Sequence, residues 1–276
     1  MSLVIDCHVH YGGREGELDS LLATCDAIGI DKCVLFGYGA AAGEVVHDYG
    51  GPSDDAVLAA ATAHPDRIIP FACFGLGGDT PDRIDHFADA GFRGIKFIDP
   101  AADYNSPDYW PVYARMADLG LVALFHLGIV ARRPAGKPDT RDSNRVRPIY
   151  LDHIARMNPT LKIIGAHLGN PWYEEATMSA RWNDNLWFDL SGSTLKKKTP
   201  AFIRSLLWWD KPGHPYKGHS GKHPFEKIVF GTDVAHEWMA DVHQDYQLLL
   251  DGMDVPAEYR EKIMGGNAAE ILGLEE

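Results

Sequence analysis

Short runs of apolar, β-favouring residues recur along this chain, and the segments between them carry helical patterning. The runs are Leu3 to Cys7, Lys32 to Phe36, Ile68 to Phe74, Gly94 to Ile98, Val122 to His126, Lys162 to His167, Leu186 to Leu190 and Lys227 to Phe230, which predicts eight strands. Between them the pattern predicts helices over Leu18 to Ile28, Ser53 to His64, Thr80 to Ala90, Pro107 to Leu119, Arg147 to Asn158 and Pro200 to Trp208, with a weaker one over Trp172 to Ala180. Strands that are apolar on both faces, joined by helical crossovers, belong to a parallel sheet with right-handed connections. Eight such units in 276 residues predict one α/β domain over residues 1–276, folded as a (β/α)8 (TIM) barrel. An open doubly wound sheet would place a glycine-rich phosphate turn after the first strand. Here that strand runs into histidines.

After the last strand, Ala240 to Leu250, Pro256 to Met264 and Asn267 to Leu272 predict C-terminal helices that cover the outside of the barrel or its lower end. Two longer segments interrupt the repeat, Ile129 to Arg145 after the fifth strand and Trp209 to His223 before the eighth. Only the first stands at the C-terminal end of a strand, the end on which barrel enzymes build their sites.

Composition narrows the partners. A hydrophobic content of 45% suits one large core, and a net charge of -13 leaves no basic stripe for nucleic acid. The longest mostly apolar stretch, Leu119 to Ala131, is broken by His126 and falls well short of the ~20 residues that span a bilayer. No basic segment followed by a long apolar one opens the chain, so a secretory signal is not expected. Cys7, Cys25, Cys33 and Cys73 show no C-x-x-C pairing, and most of them read as buried apolar residues of a reduced, cytoplasmic protein. Neither a Gly-x-Ser-x-Gly elbow nor a phosphate-binding P-loop is present. The expected partner is a small-molecule substrate, with no nucleic acid and no membrane, and a homo-oligomer is compatible with the composition.

The chemistry gathers at the strand ends. Strict alternation along the first strand places Asp6, His8 and His10 on the lumen side and Ile5, Cys7 and Val9 toward the helices. The two imidazoles then stand ~7 Å apart along the strand, where both could bind one ion. On the fifth strand, His126 shares the inward side with Val122 and Leu124. On the sixth, Ile164 and Ala166 are assigned to the helix side and His167 to the lumen, with Gly165 and Ala166 allowing tight packing. On the eighth, Asp233 falls inward with Val229 and Gly231. Five metal-competent side chains ending four strands would be a costly way to fill a core, because buried polar groups need partners. A metal ion would satisfy them together.

These residues carry a resemblance. Asp6-Cys7-His8-Val9-His10, Gly91-Phe92-Arg93-Gly94-Ile95-Lys96, Phe125-His126, Ala166-His167-Leu168-Gly169 and Phe230-Gly231-Thr232-Asp233, with Gly266-Asn267-Ala268-Ala269 and Ile271-Leu272-Gly273 at the end, resemble the amidohydrolase superfamily. The likeness is to its amidohydrolase-related group of lactonases, decarboxylases and hydratases, and it covers nearly the whole chain. The resemblance implies one divalent metal, zinc first and manganese second, on His8, His10, His126 and Asp233, with His167 beside it handling protons or polarising substrate. The implied activity is hydrolysis of a small lactone, amide or ester by metal-activated water, with Asp233 and His167 as the catalytic residues. Non-oxidative decarboxylation, or hydration of an unsaturated acid, is the alternative on the same ligands. A metal-binding barrel without catalysis is the third reading, although no ligand position is missing.

Other residues admit plainer roles. Alone, His-x-His is weak evidence, His167 could be a hydrogen-bonded core histidine, and Asp233 could cap a following helix. Lys96 is expected to point inward; some superfamily members carry a carboxylated lysine there bridging two metals, whereas the mononuclear group implies an ordinary charged neighbour. Asp6 is expected to orient a neighbour by hydrogen bonding. His214, His219 and His223 read as a solvated loop, and His236 and Glu237 lie nearer the mouth. Arg132, Arg133, Arg141, Arg145 and Arg147 suit either a carboxylate-bearing substrate or a solvated basic loop.

Overall fold

The computed structural model describes residues 3–37, 54–130, 141–210 and 217–274. Eight strands pair in chain order, all parallel: β1 (Ile5–His10), β2 (Lys32–Phe36), β3 (Ile68–Phe74), β4 (Gly94–Phe97), β5 (Val122–Phe125), β6 (Ile163–Gly165), β7 (Leu186–Asp189) and β8 (Ile228–Val229). Cys7 N–H donates to Phe230 O, and Asp233 N–H to His8 O, which joins β8 back to β1. The eight-stranded barrel is the one the apolar runs predict.

Helices fill the crossovers: α1 (Glu17–Ile28), α2 (Asp54–Ala63), α3 (Arg83–Ala90), α4 (Trp110–Leu119), α5 (Ile149–Met157), α6 (Tyr173–Trp182), α7 (Ser193–Lys197) and α8 (Pro200–Leu206). After β8 come α9 (Met239–Gly252), α10 (Ala257–Glu261), a π-helical turn over Lys262–Gly266, and α11 (Asn267–Leu272). Local chemistry sets several ends. Thr199 Oγ accepts from Phe202 N–H ahead of Pro200 to start α8, and Gly120 closes α4 with a left-handed φ of 68°. None of the described helices is long and apolar enough to cross a membrane.

The core has two layers. Val9, Leu35, Ile95, Phe97, Phe125, Phe188 and Phe230 pack outward against helical residues such as Leu21, Val57 and Met116. Ile5, Cys7, Val34, Phe36, Phe71, Leu124, Ile164, Trp187 and Val229 fill the lumen, together with Ala268, Ile271 and Leu272 of α11. Arg93 and Lys162, just before β4 and β6, donate to the carbonyls of Leu272 and Glu270, which holds α11 under the strand starts. Of the two placements allowed for the terminal helices, α11 takes the lower end and plugs it. The four cysteines are buried free thiols, as expected.

Two inside–outside assignments need correction. In β1, Asp6 pairs with Cys33 and Val9 with Leu35, so β1 carries one more residue than β2 over that stretch. This bulge shifts the alternation: Ile5 and Cys7 face the lumen below it, His8 and His10 face it above, and Asp6 lies on the outer side with Val9. In β6, Ile164 belongs to the lumen and Ile163 to the outer layer, the reverse of the expected assignment. Strict alternation would therefore send His167 outward. Left-handed backbone at His167 (φ 61°) and Leu168 (φ 47°) turns the imidazole back in, at a conformational cost of about 1–2 kcal/mol per residue.

Candidate active site

The mouth of the lumen gathers the strand-end groups. The donor atoms of His8, His10 and Asp233 all lie within 4.8 Å of one another. Asp233 Oδ1 is 3.1 Å from His8 Nε2 and 3.2 Å from His10 Nε2. His8 is fully buried, whereas the side chains of His10 and Asp233 are 18% and 22% exposed, so the cluster opens to solvent on their side. His167 Nε2 stands 3.7 Å from Asp233 Oδ2, and its ring stacks at 5.4 Å on that of His8.

His126 faces the same space but stands outside that tight group. Its ring lies edge-on to His167 at 5.2 Å, and among the described residues its buried Nε2 has no hydrogen-bond partner. Lys96 also points inward, as expected, with Nζ 3.0 Å from His8 Nε2 and 5.0 Å from the Phe36 ring centre.

The electrostatics follow from burial against charge. Burial lowers Lys96 from 10.5 to about 8, although Asp233 and Asp189 pull it up. Burial likewise takes His10 down to about 4 and holds His126 well below the usual imidazole range, where His167 and Lys96 add to the effect. For His8, burial and Lys96 push down, but the carboxylates of Asp233 and Asp189 outweigh them and the net direction is up. For Asp233, burial raises the pKa and the neighbouring histidines more than reverse it.

This donor set fits a divalent cation. Neutral imidazole nitrogens and a carboxylate are what zinc and its neighbours bind. Their separations of 3.1 and 3.2 Å place lone pairs closer than they would settle without a proton or cation between them. The orphaned His126 Nε2 is a further donor facing the same space.

Sequence reading missed one residue at the centre of this arrangement. Asp189, the last residue of β7, is fully buried; its Oδ2 is 2.9 Å from His8 Nδ1, and its Oδ1 accepts from His167 N–H and from Ser191. The parity test used on β5 and β8 would have found it. With Trp187 inward and Phe188 outward, a lone carboxylate in an apolar strand falls inward. Asp6 is a structural acceptor for His8 N–H and for the amide and hydroxyl of Thr232, and burial raises it to about 6.

Residues assigned plainer roles have other partners. His223 stacks on Tyr259 at 4.1 Å, His219 is exposed near Asp184, and His236 lies 3.6 Å from Glu237. Arg147 pairs with Glu175 and lies over Trp172, and Arg145 donates to Pro100 O. Arg132, Arg133 and His214 lie outside the described residues.

A (β/α)8 barrel with a histidine–carboxylate cluster at its C-terminal mouth defines a class, and comparison with known proteins gives the family. The chain belongs to the amidohydrolase family, whose model, described as Amidohydrolase, matches residues 5–274. No curated protein matches it. Among solved structures it is similar to an uncharacterised TIM-barrel protein from Bordetella bronchiseptica (TM-score 0.67, 18% identity, 98% of each chain covered). It is also similar to 5-carboxyvanillate decarboxylase from Sphingomonas paucimobilis (0.68, 15%, 100% of each chain). A third is L-hydantoinase from Arthrobacter aurescens (0.56, 15%, 99% of this chain and 71% of that one). At these identities the likeness speaks to the fold.

Proposed function

We propose that this chain is a metal-dependent hydrolase of a small molecule, a lactone, amide or ester, with His8, His10, His126 and Asp233 as the metal ligands. The observation that carries the proposal is the convergence of His8, His10 and Asp233 within 4.8 Å at the barrel mouth. A divalent ion bound there would act as a Lewis acid toward a water or a carbonyl oxygen. Asp233 takes the proton of the attacking water and delivers it to the leaving group. His167, 3.7 Å from Asp233, hydrogen-bonds the water or the developing oxyanion. His8 is held for ligation by Asp189, since a carboxylate on Nδ1 leaves Nε2 free to bind.

Decarboxylation is the second reading, supported by the full-length likeness to a solved barrel named as a decarboxylase. The strand-end groups serve either reaction. Carbon dioxide release without incorporation of labelled oxygen from water would separate them.

The test is metal content of protein purified without chelator, beside a His8→Ala/His10→Ala variant. About one zinc or manganese per chain, lost in the variant, is the expected result for a mononuclear site. About two per chain would point to Lys96 as a bridging ligand. No metal after reconstitution would overturn the proposal in favour of a non-catalytic barrel.

A further inference from the structure

We infer that Asp189 and Ser191 are positioning residues that fix which ring nitrogen carries the proton in His8 and in His167, so that both rings present a bare Nε2 to the same space. The inference rests on the functional reading above only for what those two nitrogens are used for.

Asp189 is fully buried, and its Oδ1 takes two backbone amides, an arrangement that favours the ionised carboxylate. An ionised carboxylate offers only lone pairs, so each close neighbour must donate to it. The amides of His167 and Ser191 do so at 2.9 Å on Oδ1. Ser191 Oγ, 2.5 Å from the same oxygen, must point its single hydrogen there as well. That leaves the hydroxyl with lone pairs alone toward His167 Nδ1 at 2.8 Å, so Nδ1 is the nitrogen that bears hydrogen. On the other carboxylate oxygen, His8 Nδ1 at 2.9 Å donates for the same reason.

Neutral His8 and His167 therefore both carry a lone pair on Nε2, and both Nε2 atoms face Asp233, at 3.1 and 3.7 Å. For His8 this is the ligating form. For His167 it selects between two roles: a bare Nε2 accepts a hydrogen bond, so neutral His167 faces the attacking water and not the carbonyl oxygen.

The backbone around Ser191 is shaped to this contact. Gly192 has a φ of 67°, and a Cβ there would sit 3.2 Å from His167 Nδ1, so a side chain would crowd the ring it follows. Thr194 Oγ donates to His167 O at 2.5 Å while Asp189 accepts from His167 N–H, which pins both ends of the left-handed residue. One short segment, from the end of β7 into α7, thus holds the ring, the backbone and the tautomer of His167.

The test is imidazole nitrogen NMR of histidine-labelled full-length protein, with the His167 signals assigned from a His167→Gln variant. In the unaltered protein, His167 is expected to show a protonated Nδ1 and an unprotonated Nε2. Ser191→Ala should shift these signals toward a tautomer mixture with zinc affinity unchanged, and Ser191→Thr should restore them. Asp189→Asn should move both His8 and His167 and weaken zinc about 10–100-fold. An unprotonated Nδ1 in unaltered His167, or a Ser191→Ala spectrum with His167 in place, overturns the inference. Failure of the unaltered protein to bind zinc would overturn the functional reading instead, and the spectra would still decide the tautomers.

Discussion

Replacing Lys96 with methionine removes an ammonium from the lumen while keeping much of the side chain's length and volume. Lys96 is 2% exposed and lies 3.0 Å from His8 Nε2. Burial is the largest influence on it, and the net fall is from 10.5 to about 8. At about 1.4 kcal/mol per tenfold change in proton affinity, a charged Lys96 costs the folded state about 3 kcal/mol. The sign follows from which state binds the proton more tightly, and here it is the unfolded chain. Below about pH 8 Lys96 is charged in both states and the cost is fully present. As pH rises from about 8 to 10.5 the folded protein gives up the proton first, and the cost disappears. In chelator-treated protein, Lys96→Met should therefore exceed the unaltered protein in stability by about 3 kcal/mol near neutral pH. The gap should close toward pH 10.5. Urea denaturation followed by circular dichroism across that range reads both quantities. A variant less stable at neutral pH, or a difference that does not change with pH, would refute the reasoning.

Three further outcomes are expected. Asp233→Asn and His167→Ala should keep the fold and lose turnover on any substrate found, with metal retained in His167→Ala; full activity in either would remove that residue from the mechanism. Gly165→Ala should destabilise by about 1–3 kcal/mol in urea, because its Cβ would lie 2.5 Å from Phe188 Cε1 and 2.7 Å from Leu127 Cδ1. Leu272→Ala should cost about 2–5 kcal/mol, since Leu272 is 4% exposed beneath the lumen; an unchanged melting temperature would mean that the floor contributes little.

The strands were legible because each is an apolar run bounded by polar punctuation, and β2 and β3 match the predicted spans Lys32–Phe36 and Ile68–Phe74. The inward placement of His126 and Lys96 was legible for the same reason: β4 and β5 keep regular alternation, whereas Asp233 lies beyond the two residues of β8 at a left-handed φ of 53°. What pattern reading could not see was backbone geometry. Nothing in Asp6-Cys7-His8-Val9 announces a bulge, and His167 reaches the lumen through a left-handed turn that residue type does not advertise. Asp189 was available to the same reasoning but lies between bulky residues in a strand that reads as plain core. Helix α7 is a single short turn inside a lysine-rich stretch, too brief for a 3.6-residue period to register.

The plug formed by α11 has a consequence for the order in which the protein can be made. The helix follows all eight strands in the chain, yet Ala268, Ile271 and Leu272 belong to the same cluster as Ile5 and Val34. A chain emerging during synthesis can have every strand in place and every histidine and carboxylate of the mouth available while the underside of its barrel is still open to water. Long-range closure of this kind is slow and leaves apolar surface uncovered while it waits. A chain shortened before Asn267 would thus carry the whole constellation of donors on a barrel with a greasy, unsealed base, and it would be expected to fail by clumping before any loss of chemistry could be measured.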